Sequence, residues 1–76
     1  MLFENDVEAR ALLLRMGTGP SAWAYLDTLA RAARMSRETL RPMLEALERE
    51  GLVTSMKAPA GPRYRLTEEG RRVRAG

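Results

Sequence analysis

The 76 residues carry 13 Lys and Arg against 10 Asp and Glu, a net charge of +3, and contain neither Cys nor His. A chain this short is at most one domain, and without disulfides it must pack its apolar residues tightly. Lacking Cys and His it has no thiolate nucleophile or imidazole base and lacks the usual soft metal ligands, so an enzyme, a metal centre or a bound cofactor is not expected. No apolar run approaches the roughly 20 residues that span a bilayer. The opening MLFENDVEAR is acidic and amphipathic, unlike a secretory leader, so a cytoplasmic chain with no membrane partner is expected. Residues 1–30 hold Arg10 and Arg15 against Glu4, Asp6, Glu8 and Asp27, a net −2, whereas residues 31–76 hold eleven bases against six acids, a net +5. A basic second half attracts nucleic acid or an acidic protein surface, although arginine-rich composition also follows from GC-rich coding bias.

The first element, NDVEARALLLRMG, begins with a capping-box-like Asn5 and Glu8 and has Val7, Ala11 and Leu14 at helical spacing, with Phe3 one turn earlier. Gly17 supplies its left-handed stop. After GTGP, Ser21 is the expected N-cap of a second helix, AWAYLDTLARAA, ending near Arg34. Its stripe is Ala22, Leu26, Leu29 and Ala33, widened by Trp23 and Ala30. Ser36 caps a third helix with Leu40, Met43, Leu44 and Leu47 on one face, and Gly51 follows at the C′ position. Pro42 lies past its first turn, so a slight bend or an irregular first turn is expected. Beyond Gly51 the period becomes two: LVTSM and RYRLT form a hairpin around the loop KAPAGP, with Tyr64 and Leu66 on one side and Arg63 and Arg65 on the other. Thr67 caps a short closing helix, EEGRRV, and Arg71, Arg72 and Arg74 read as a solvated tail.

The third helix places its charges against its own dipole. Arg37 and Arg41 sit in its opening turns and Glu45, Glu48 and Glu50 at its exit, whereas helix ends favour the reverse by about 0.3 to 1 kcal/mol per charge. The stretch LARAARMSRETLRPM also has what two helices packed across a tight turn require. Its apolar positions are Leu29, Ala33, Met35, Leu40 and Met43, its small residue is Ala30 and its cap is Ser36. It resembles a helix-turn-helix with residues 36–50 as recognition helix.

With the motif L-x-x-L-E-x-x-G-L-V met by Leu44, Leu47, Glu48, Gly51, Leu52 and Val53, and Y-x-L-T-x-x-G by Tyr64, Leu66, Thr67 and Gly70, the chain is similar to winged-helix regulators of the PadR and MarR type. Thr39-Leu40-Arg41-Pro42 is similar to the T-L-Y-P of PadR recognition helices. Two departures stand out: Arg34 occupies a turn position usually held by Gly, and the sequence ends at Gly76, before the long helices through which PadR-like proteins dimerise.

The resemblance implies a mainly α, α+β winged helix over residues 1–76: three helices, a two-stranded wing and a short closing helix. It also implies a bacterial or phage transcription regulator that binds double-stranded DNA. Bases early in the recognition helix would face the major groove, and acids late would face away from phosphate. Ser36, Arg37, Glu38, Thr39 and Arg41 are the candidate groove contacts, and Lys57, Arg63 and Arg65 on wing 52–67 the candidates for adjacent backbone or the minor groove. The alternative is that Arg37 and Arg41 are solvated charges, Arg41 paired with Glu45 and Glu45 with Arg49, and that the wing bases guard an edge strand. Trp23 and Tyr64 are expected in the core rather than as stacking platforms. A homodimer through Leu2, Leu12, Leu13 and Met16 of the first helix is expected, and no small-molecule ligand. The rival reading is a protein-interaction module that binds RNA polymerase or another regulator.

Overall fold

The computed structural model describes residues 7–19 and 21–76. Asn5, Phe3 and Leu2, to which the sequence assigns a cap, a packing contact and an interface position, lie outside them. The elements in chain order are α1 Val7–Arg15, β1 Ala24–Tyr25, α2 Leu26–Ala33, α3 Arg37–Arg49, β2 Val53–Met56, β3 Arg63–Leu66 and α4 Glu68–Ala75. The strands form one antiparallel sheet in the order β1-β3-β2. Among the described residues no helix is long and apolar enough to cross a membrane.

Local chemistry sets α3 and the wing where the sequence puts them. The Ser36 hydroxyl accepts from the Thr39 N–H at 3.2 Å, which fixes the start of α3. At its end Gly51 takes φ 79°, its N–H reaching the Glu48 carbonyl and that of Leu52 the Leu47 carbonyl, each at 3.0 Å. That pair of bonds is a Schellman cap, and it needs a left-handed residue that glycine provides without strain. The helix runs unbroken through Pro42. In the hairpin Val53 faces Leu66 and Met56 faces Arg63, with Tyr64 and Leu66 buried as the alternation requires.

The core joins Leu26, Leu29, Leu40, Leu44, Leu47, Leu52, Val53, Tyr64 and Leu66 with Ala9, Leu12, Leu13 and Met16 of the α1 segment. Ala33, Met35 and Met43 pack against it half-buried. Two expectations for α1 are overturned here. Val7 and Leu14 are 82% and 48% exposed, while Leu12 and Leu13 are fully buried. The run LLL at 12–14 allows two rotations of the helix. The one adopted buries two leucines, Met16 and Ala9 at spacing i, i+3, i+4, i+7, whereas the other would bring Arg10 toward the core. Leu12, Leu13 and Met16 are therefore core residues and cannot form the homodimer surface assigned to them.

The second helix is also shorter than expected. Residues 24 and 25 pair with β3, and α2 begins at Leu26 with Tyr25 as N-cap, so Ser21 caps nothing and Trp23 lies outside the helix. The sheet has three strands instead of two because a short extended segment satisfies the free edge of β3.

The basic tail is tied to the fold through Arg74, while Arg72 stays exposed. Arg74 Nε and Nη2 donate to the Leu13 and Leu14 carbonyls at 3.1 Å, supplying the end of α1 with donors its last turn lacks. Arg10 reaches back to the Val73 carbonyl at 3.4 Å, and Arg72 pairs with Glu68 and Glu69. Thr67 caps α4 by accepting from the Gly70 N–H at 3.0 Å. Gly70 is itself a packing requirement: a Cβ there would fall on the Leu52 carbonyl, 2.9 Å from its carbon and overlapping its oxygen. Gly70→Ala should therefore destabilise the fold although alanine favours helices. The expected loss is about 2 kcal/mol, or about 10 °C in Tm for a domain of this size, measurable by thermal melting.

Candidate nucleic-acid interface

The turn between α2 and α3 is built by the residue that replaces glycine. Arg34 lies in the left-handed region, φ 57° and ψ 45°. Its N–H donates to the Arg31 carbonyl at 3.3 Å and the Met35 N–H to the Ala30 carbonyl at 3.0 Å, a second Schellman cap. Met35, half-buried, then packs on the core and aims the chain into the Ser36 cap. The left-handed backbone costs a side-chain-bearing residue about 1 kcal/mol or more. Arg34→Gly should thus raise stability by about 1 kcal/mol and Tm by about 4 to 8 °C, while Arg34→Ala, which keeps a Cβ, should not; paired denaturation curves decide.

Along α3 the candidate residues differ in how free they are. The Ser36 hydroxyl donates to Thr39 Oγ1 at 3.0 Å while accepting from the Thr39 N–H, so it is committed to the cap and leaves the Thr39 O–H as the outward donor. Arg37 pairs across the turn with Asp27 of α2 at 3.1 Å, not with an acid of its own helix. Both side chains are about two-thirds exposed, 65% and 64%, so the pair is solvent-screened and exchangeable. Among the described residues no ion pair ties Arg41 to Glu45 or to any other acid. Glu38 and Thr39 are exposed. Pro42 has no N–H for the Glu38 carbonyl, which is left as an acceptor on the outer face of α3. Glu48 is drawn back to the sheet, where Ser55 donates to it at 2.8 Å. Behind α3 the Tyr64 hydroxyl has its pKa raised, first by burial, with Arg41 lowering it and Glu48 and Glu45 raising it.

Arg37 and Arg41 share one cleft with Arg31 of α2, lined as well by Tyr25, Asp27 and wing-loop residues Ala60, Gly61 and Pro62. Three guanidinium groups and one carboxylate thus gather where α3 begins and the wing loop comes closest. Arg31 was not among the residues marked in the sequence; its position four residues after Asp27 on an exposed helix face is the visible trace. Lys57 is exposed in the loop but does not line this cleft.

Arg63 and Arg65 take a different position from the one expected of free wing cations. Both are half-buried on the outer face of the sheet, with Arg65 4.9 Å and Arg63 5.7 Å from the centre of the Trp23 ring. Arg63 also lies 6.0 Å from the Tyr25 ring, and its Nη2 is 3.1 Å from Met56 Sδ. Trp23 is therefore a platform for arginine and not a core residue, whereas Tyr64 is core. The signal was present in AWAY, where aromatic residues alternate at the period of a strand, but the apolar stripe of a helix passes through the same letters.

No protein-family model matches the chain, and comparison with curated proteins gives no match. Solved structures do match. A MarR family transcription regulator is 28% identical, with TM-score 0.79 over 97% of this chain and 50% of its own. A MarR family transcriptional regulator from Silicibacter pomeroyi DSS-3 is 26% identical, with TM-score 0.68 over 90% of this chain and 47% of its own. BpsR of Bordetella bronchiseptica, whose DNA binding is regulated by 6-hydroxynicotinic acid, shares the fold at TM-score 0.81 and 17% identity, over 95% of this chain and 52% of its own. The chain spans about half the length of these proteins. Regulation of the Bordetella protein by a small molecule leaves the expectation of no small-molecule ligand without support. These structures support the MarR half of the resemblance in the motifs. Element order, capped turn, wing and structural likeness together make the chain a winged helix-turn-helix domain similar, over nearly all its length, to those of MarR family transcription regulators.

Proposed function

We propose that the chain is the DNA-binding part of a transcription regulator, acting by occupying double-stranded DNA and not by chemistry, with α3 in the major groove and the wing on adjacent backbone or the minor groove. The observation that carries the reading is the cleft in which Arg31, Arg37 and Arg41 meet beside the wing loop. Its cations sit at the start of α3, while Glu45, Glu48 and Glu50 follow toward the exit. Placing positive charge early costs a few tenths of a kcal/mol against the dipole, roughly, and a single phosphate or guanine contact outweighs it.

Within this reading the residues divide by task. Arg41, without an ion-pair partner among the described residues, is the reader of base edges, with the Thr39 hydroxyl and the Glu38 carboxylate on the same helix. Arg37 exchanges Asp27 for phosphate, and Arg31 and Lys57 add backbone contacts. Arg63 and Arg65 hold phosphate from the sheet face, and Ser36 contributes through the cap. One module of this size buries little surface, so two copies on adjoining half-sites are the arrangement proposed for tight binding.

Anisotropy of labelled duplex DNA across a salt series tests the proposal. Binding to random duplex at about 50 mM salt that weakens linearly in log salt is expected. Negligible affinity under those conditions would hand the chain to the protein-interaction reading. Arg41→Ala should cost about 1 to 3 kcal/mol on a preferred site and relax preference at one base position. Lys57→Ala should instead weaken all sequences alike and reduce the salt slope by about 0.9.

A further inference from the structure

Trp23 is the sole tryptophan of the chain, and the DNA-binding reading above gives it no task. Its ring nevertheless organises the outer face of the sheet. Strand alternation sends Arg63 and Arg65 of β3 to that face, and pairing of Tyr25 with Arg63 brings the segment before β1 alongside them. One indole then lies within 6 Å of two guanidinium carbons, at 4.9 and 5.7 Å. Two like charges on neighbouring positions of one strand repel, and an electron-rich ring near both offsets part of that repulsion. Tyr25 extends the row to the cleft that holds Arg31, Arg37 and Arg41.

We infer that Trp23 is a positioning residue for DNA binding: it holds Arg63 and Arg65 in place, so that the wing meets the phosphate backbone with two guanidinium groups already ordered. A free arginine loses much rotamer freedom when it is immobilised against a ligand, and one laid on an aromatic ring has lost that freedom beforehand. An arginine held beside a ring by its charge still carries N–H donors at the edge of the guanidinium that suit phosphate. The Nε of Arg63 is buried without a hydrogen-bond partner among the described residues, so this side chain is fixed by stacking and by the Met56 sulfur. No acid is interleaved with this row on the two strands: the outward neighbours on β2 are Thr54 and Met56. An anionic strand is therefore the partner whose charge complements it.

The inference rests on the DNA-binding reading, and a mutant cycle keeps the two apart. Affinities for one labelled random duplex at low salt are measured for the wild-type chain, Trp23→Leu, Trp23→Phe, Arg63→Ala/Arg65→Ala and the corresponding triple variants. Trp23→Leu should weaken binding about three- to tenfold, from the strength of a partly desolvated cation–π contact, and Trp23→Phe, which keeps a smaller ring, about twofold. In the Arg63→Ala/Arg65→Ala background neither substitution should matter, because the side chains through which Trp23 acts are gone. A merely structural role would leave its cost undiminished in that background, and so would direct stacking of Trp23 on a base; either result overturns the inference. So does an unchanged affinity of Trp23→Leu in the otherwise intact chain. If thermal melting shows that Trp23→Leu does not fold, Trp23→Phe and Trp23→Tyr complete the same cycle. Absence of binding by the wild-type chain would instead overturn the DNA-binding reading.

Discussion

Leu52 spends both of its backbone groups on joining elements that are otherwise separate. Its N–H closes α3 on the Leu47 carbonyl, and its carbonyl accepts from the Thr67 N–H where β3 gives way to α4, both at 3.0 Å. Thr67 adds a second link through its hydroxyl, 2.6 Å from the Gly51 carbonyl. The bare Cα of Gly70 lets α4 lie against the same carbonyl group. The end of α3, both wing strands and the closing helix are thereby registered within a few residues, and the position of the wing relative to α3 follows from that junction. The two sequence motifs that carry the family resemblance are its two sides, one ending in Gly-Leu-Val and the other running from Tyr64 to Gly70.

The outer face of α3 shows how charge is managed without burial. Among the described residues no polar or charged side chain is buried, so electrostatics acts through exposed groups whose pairing solvent can exchange. Asp27 holds Arg37 across the turn, and Glu48 is tethered to Ser55, away from the start of α3. Asp27 is thus partnered with a base and Glu48 turned toward the sheet, while Glu38 and Glu45 stay exposed. Among the described residues Arg41 has no ion-pair partner.

The parts legible in the sequence were those specified by local chemistry. The Ser36 cap, Gly51, the change of period beyond it and the Thr67 cap each depend on residues a few positions apart, and each falls where expected. What depended on choosing between equivalent local patterns was not legible. Three successive leucines fit either rotation of α1, and only packing against the other helices decides which two are buried. Trp23 and Tyr25 fit both a helical stripe and a strand, and the free edge of β3, some forty residues away in sequence, decides for the strand. Within the candidate site the same division holds. The bases of α3 were visible by position, but Arg31 joined them and Arg63 and Arg65 left the group of free cations through tertiary contacts alone.

The arginines that tie α1 to α4 have a kinetic consequence. Both Schellman turns and the hairpin are local and can form while most of the chain is unfolded. The bonds from Arg74 to Leu13 and Leu14, and from Arg10 to Val73, span 60 to 63 residues. Closing so long a loop carries an entropic cost that only an already assembled core can offset. The latch is therefore among the last contacts made during folding. Because each helix supplies an arginine to the other's carbonyls, fraying of one of these helices also loosens the other.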